Sequence, residues 1–90
     1  MNVLNLYLLE RTDDSCHYDI YDSVIVAAFS EDDAKLISPD GYAYNVGTAE
    51  YNEINMGRWV YNLKQINVKL IGIAGADVHR GVILASFNAG

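Results

Sequence analysis

Cysteine occurs once in this chain, at Cys16, and proline once, at Pro39. A lone cysteine cannot close an internal disulfide, and it leaves a zinc site short of thiolate ligands. The two histidines, His17 and His79, show no HxxxH spacing and no CxxC is present, so neither a metal nor a cofactor is expected. Basic residues are scarce as well: six Lys and Arg stand against twelve Asp and Glu, a net charge of −6. Nucleic-acid binding draws on clustered Lys and Arg, so direct contact with nucleic acid is not expected. No apolar run reaches the ~18 residues of a membrane span. The opening MNVLNLYLLERTDD has no positive charge before its apolar segment and no small-residue cleavage site. A signal peptide is therefore not expected, and the cytoplasm is the expected compartment.

What is present is the composition of a folded globule: 90 residues, 51% hydrophobic and 20% charged. That length predicts one domain over residues 1–90. A chain so short buries only about 60% of the surface its unfolded form exposes.

The most hydrophobic stretch is the last third, INVKLIGIAGADVHRGVILASFNAG, from Ile66 to Gly90. Two β-rich runs flank the polar turn from Gly75 to Gly81, the sequence form of a hairpin with a longer loop. Strands over Asn67–Ala74 and Val82–Phe87 are expected to pair with each other and to supply most of the core. Upstream, Val3–Thr12 alternates as a strand does, with Leu4, Leu6 and Leu8 on one face. A second strand over Tyr21–Phe29 holds Val24, Ile25 and Val26 in succession, apolar on both sides as in a central strand.

Ser30-Glu-Asp-Asp33 is the clearest helix start. Ser30 can accept from a free backbone N–H, and three acids complement the positive end of the helix dipole. Pro39 ends the helix after about two turns, with Ala34 and Ile37 as its apolar stripe and Leu36 beside them. Asp40–Asn55 has no clear period and reads as a long, tyrosine-bearing loop. The expected fold is α+β: a mainly antiparallel four-stranded sheet in β-β-α-β-β order, with one short helix on one face. One helix cannot cover two apolar faces, so the second face needs the tyrosine-rich loop or another copy of the chain, and a homo-oligomer, a dimer, is expected.

Charge is unevenly placed. Residues 1–45 hold nine acidic and two basic side chains, and residues 46–90 hold three and four. The acids Asp13, Asp14, Asp19, Asp22, Asp32 and Asp33 are the candidate contact surface for a basic partner protein. An alternative set of Trp59, Arg58, His79 and Arg80 could hold a small anionic ligand such as a nucleotide. The glycines around the last turn free its backbone, Arg80 can pair an anion, and aromatic rings can stack a base. Ser15, Ser23, Ser30, Ser38 and Ser86 sit in no nucleophile motif and two isolated histidines make no triad spacing, so no enzymatic activity is expected.

Four segments read together carry a family resemblance: Tyr7-Leu-Leu-Glu-Arg-Thr-Asp-Asp14, Tyr18-Asp-Ile-Tyr-Asp-Ser-Val-Ile-Val-Ala-Ala28, Ser30-Glu-Asp-Asp-Ala-Lys35, and the ending Gly81-Val-Ile-Leu-Ala-Ser-Phe-Asn-Ala-Gly90. In layout and closing residues the chain resembles a family of small tailed-phage and prophage proteins, over about half its length. The resemblance brings no catalytic residues with it. It implies a phage origin, the cytoplasm of a bacterial host, and a role in modulating or inhibiting host proteins, including those of host defence. A structural or assembly role in the virion is the remaining reading.

Overall fold

The computed structural model describes residues 3–12, 20–41, 44–55 and 58–88. Its β-branched run Val24-Ile25-Val26 lies inside strand β2 (Ile20–Ala28), which pairs antiparallel with β1 (Asn5–Arg11). β3 (Ile66–Ile73) joins the outer side of β1, and β4 (Gly81–Asn88) joins the outer side of β2, giving the order β3-β1-β2-β4 with every neighbouring pair antiparallel. β2 and β3 therefore run parallel, and parallel strands require a crossover. The segment between them supplies it, carrying helices α1 (Glu31–Lys35) and α2 (Ala49–Asn55) and a 3-10 turn at Leu63–Gln65. The expected α+β class and four-stranded antiparallel sheet are what the structure has.

Strand order corrects one expectation. β3 and β4 do not pair; they occupy opposite edges, joined by residues 74–80 across the end of the sheet. Three strand spacings amount to about 14 Å, within reach of a connection that short. The arrangement keeps β1 and β2 central. β2 is mostly buried along its length, and a β3–β4 hairpin at one side would have left β1 or β2 as an edge. The connection also exceeds the two-residue loops that enforce hairpin pairing.

A second correction concerns the core. Its centre is Leu9, Val24, Val26, Tyr51, Trp59 and Val60, with Tyr7 beside them. Of the last third, only Ile66 is buried among the described residues, while Val68, Val82 and Ala85 pack on the margin. Hydrophobicity of a strand does not reveal whether a neighbour covers it, and both late strands are edges.

α1 forms where it was expected. The Ser30 hydroxyl accepts from the Asp33 N–H at 3.1 Å, and the Asp33 carboxylate accepts from the Phe29 N–H at 3.0 Å, a reciprocal cap. Ala34 and Ile37 are buried beneath it, and the helix lies across β1, β2 and β3. α2 was not expected. Thr48 starts it, its hydroxyl accepting from the Tyr51 N–H at 3.3 Å. Gly47, at φ 93°, supplies the left-handed residue just before. The order is thus β-β-α-α-β-β, and the helix fills part of the segment read as loop.

Candidate functional site

α2 turns Tyr51 and Asn55 inward, one helical turn apart, and both side chains are fully buried. Asn55 Oδ1 accepts from the Tyr51 hydroxyl at 3.0 Å and from the Trp59 N–H at 2.9 Å, while Asn55 Nδ2 donates to the Trp59 carbonyl at 2.8 Å. This clamp folds the chain back after α2 and drives the Trp59 ring into the core at 0% exposure. Burial, reinforced by nearby Asp40, pushes the Tyr51 hydroxyl well above its usual pKa. Trp59 therefore cannot stack on a ligand without opening the core, which corrects the reading of it as a pocket wall.

The rest of the proposed ligand set is dispersed. The Arg58 carbonyl accepts from the Tyr21 N–H at 2.7 Å, so Arg58 and Trp59 sit beside the start of β2. Arg80 precedes Gly81, which pairs with Ala27 at the other end of that strand. The extended chain from Tyr21 to Ala27 is about 20 Å long. His79 is exposed in the connection before Arg80. The four residues do not converge on one ligand-sized site.

Arg80 has a different partner. Its Nε and Nη2 bind the Asp33 carboxylate at 2.9 and 2.8 Å, joining the β3–β4 connection to α1. This pairing holds the Asp33 carboxyl below its ordinary pKa; burial opposes the shift, and the Phe29 N–H adds to it. Arg80 also borders a cleft of about 170 Å³ with Leu36, Ile37, Gly41 and Asn45. Because its guanidinium is already neutralised, the cleft lacks the free positive charge that an anion would need.

Of the six proposed acidic contact residues, Asp13, Asp14 and Asp19 lie outside the described residues. Asp22 is exposed near the start of β2, where the β2–β4 register slips. Asp32 is exposed in the first turn of α1, beyond the other end of the strand. Asp33 is committed to Arg80 and to the helix cap, which corrects its place in a partner-facing surface. Asp22 and Asp32 thus belong to different parts of the molecule.

The structure adds acids that the sequence reading left aside. Glu50 and Glu53 are exposed on α2, which has no basic residue in its last turn, and Glu31 is exposed next to Asp32 on α1. Both helices pack into the single core on one face of the sheet, so the helical layer turns carboxylates outward. No group of three His, Cys, Asp or Glu among the described residues is placed to hold a metal ion, and no helix among them is long and apolar enough to cross a membrane.

No protein-family profile, curated protein or solved structure matches this chain.

Proposed function

We propose that the chain is a non-catalytic binding protein of the tailed-phage type, acting in the cytoplasm of a bacterial host. It modulates or inhibits a host protein, with defence proteins a natural class, by offering an acidic surface to a basic one. The observation that carries this reading is the outward display of Glu31 and Asp32 on α1 and of Glu50 and Glu53 on α2. Asp13 and Asp14 extend the acidic character of the first half of the chain. An exposed, single-sign surface contributes to encounter rate and partner choice more than to raw affinity.

The test is capture from bacterial lysate followed by mass spectrometry, comparing the native protein with two charge reversals. One is Glu50→Lys with Glu53→Lys; the other is Asp13→Lys with Asp14→Lys. Glu50 and Glu53 are exposed and make no cap, so their variant is expected to fold, and circular dichroism checks the fold of both variants. Loss of one specific partner from the first variant supports the helical layer, and loss from the second places the contact at Asp13 and Asp14. A partner retained by both variants contradicts the acidic-surface reading.

A further inference from the structure

The sheet has a second face, turned away from the helices, on which Leu6, Leu8 and Ile25 are half-buried and Ala27 is buried. Core residues Tyr7, Leu9, Val24 and Val26 point to the helices, so their strand neighbours point away. Register sets these neighbours in rows. The central row runs Lys69, Leu8, Ile25, Leu84 from one edge of the sheet to the other. The row above places Leu6 and Ala27 between two glycines, Gly72 and Gly81, and the row below is polar and includes Glu10. Leu84 is 65% exposed in the isolated chain.

We propose that this face is the contact surface between two copies of the chain, packed sheet against sheet. Three observations select a second copy. First, charge: in a chain of net charge −6, the three rows hold one acid, Glu10, and one base, Lys69. The face is neutral where the rest of the molecule repels its own kind, and it carries one charge of each sign, which a two-fold axis can set against one another.

Second, shape. Take a grid of about 4.8 Å between strands and about 6.7 Å between alternate residues. On it, the two-fold that superposes Lys69 on Glu10 of the other copy passes beside Ile25. The strands of the two copies then cross steeply, toward the orthogonal class of sheet packing.

Third, area and edges. Of the large hydrophobics exposed on the edge strands, Leu84 falls in these rows, while Leu70, Ile73 and Phe87 register with Tyr7, Asn5 and Tyr21 on the helical side. A face of this size fits only a small, weak interface, under about 1,200 Å² in total. Pairing edge to edge is the rival geometry. The ladder slips at Leu6/Tyr7 on the β3 side and at Ile25/Val26 on the β4 side, and such bulges break the run of hydrogen bonds a new strand would need.

The proposal stands apart from the carboxylates that α1 and α2 display on the other side of the sheet. Sedimentation velocity from about 1 to 300 µM should show a monomer–dimer equilibrium with Kd in the micromolar range. Leu84→Asp should weaken it at least tenfold. Lys69→Glu alone should also weaken it, and adding Glu10→Lys should restore it. A geometric check uses Ile25→Cys in a Cys16→Ser background. Sheets stacked about 10 Å apart put paired cysteines within reach of a short bis-maleimide, though beyond a disulfide. Crosslinked dimer from this variant, absent from an Asp77→Cys control, supports the arrangement even if Leu84→Asp folds poorly. A chain monomeric throughout the range overturns the proposal, whether or not the face captures some other protein. So does a dimer indifferent to Leu84→Asp and uncrosslinked at Ile25→Cys.

Discussion

Replacing Asn55 with alanine probes the contact on which the helical layer depends. Asn55 is fully buried and makes three hydrogen bonds, two as acceptor and one as donor. Alanine leaves the Tyr51 hydroxyl and both backbone groups of Trp59 without that partner inside the core. Each buried polar group stripped of its partner costs about 1–3 kcal/mol, partly offset because the amide itself no longer needs desolvation. A net loss of about 2–4 kcal/mol follows. A domain of this size has roughly 5–13 kcal/mol in total, so a large fraction of the stability is at stake. The assay is urea denaturation followed by far-UV circular dichroism and by the emission of Trp59, the only tryptophan in the chain. With a slope of about 1.5 kcal/mol per molar urea, the midpoint should fall by about 1.3–2.7 M. Asn62→Ala is the control: Asn62 accepts from the Lys64 N–H at 2.9 Å on the exposed 3-10 turn, and its loss should cost about 0.5–1 kcal/mol. If the two variants lose equal stability, the Tyr51–Asn55–Trp59 clamp does not hold the layer and the reasoning fails.

Three further outcomes are expected. Native emission of Trp59 should be blue-shifted and resistant to iodide, because the ring is at 0% exposure; red-shifted, quenchable emission would return Trp59 to the surface. Ser30→Ala should cost about 1 kcal/mol in urea denaturation by removing the acceptor for the Asp33 N–H, and an unchanged midpoint would show that α1 is held by packing alone. Asp33→Asn should cost at most about 1 kcal/mol at pH 7, since the pair with Arg80 is partly exposed and solvent screens it. The folded-state pKa of Asp33 is depressed, so its contribution is complete above the unfolded value near 4 and fades as pH falls through the folded value. The difference between Asp33→Asn and the native protein should therefore shrink by pH 2; a constant difference across pH would remove charge from the explanation.

Much of this architecture was legible from local pattern. Val24-Ile25-Val26 marks a central strand because consecutive β-branched residues suit a strand flanked at both edges, and β2 lies between β1 and β4. Ser30 and Asp33 reveal α1 because capping is local chemistry; the helix ends at Lys35, shorter than the two turns expected and four residues ahead of Pro39. α2 escaped because its buried positions are Tyr51 and Asn55, so the inward stripe is half polar and shows no apolar period; Thr48 after Gly47, with Glu50 in the first turn, was the available signal. The edge positions of β3 and β4 escaped for another reason. Two apolar runs around a glycine-flanked turn look alike whether the strands pair or cross the sheet, and only the demand of β2 for a second neighbour decides. Of the candidate site, exposure of Asp22 and Asp32 was readable from polarity. The pairing of Asp33 with Arg80 joins residues 47 apart in the chain and has no local signature.

The most direct test of the proposed acidic contact is the salt dependence of binding to the captured partner, measured by titration calorimetry from about 50 to 500 mM NaCl. Contact through exposed carboxylates predicts affinity falling at least tenfold across that range for the native protein, with a flatter dependence and weaker binding for Glu50→Lys with Glu53→Lys. Binding that is equally tight at both ends of the range, and unchanged by the reversal, would contradict the account.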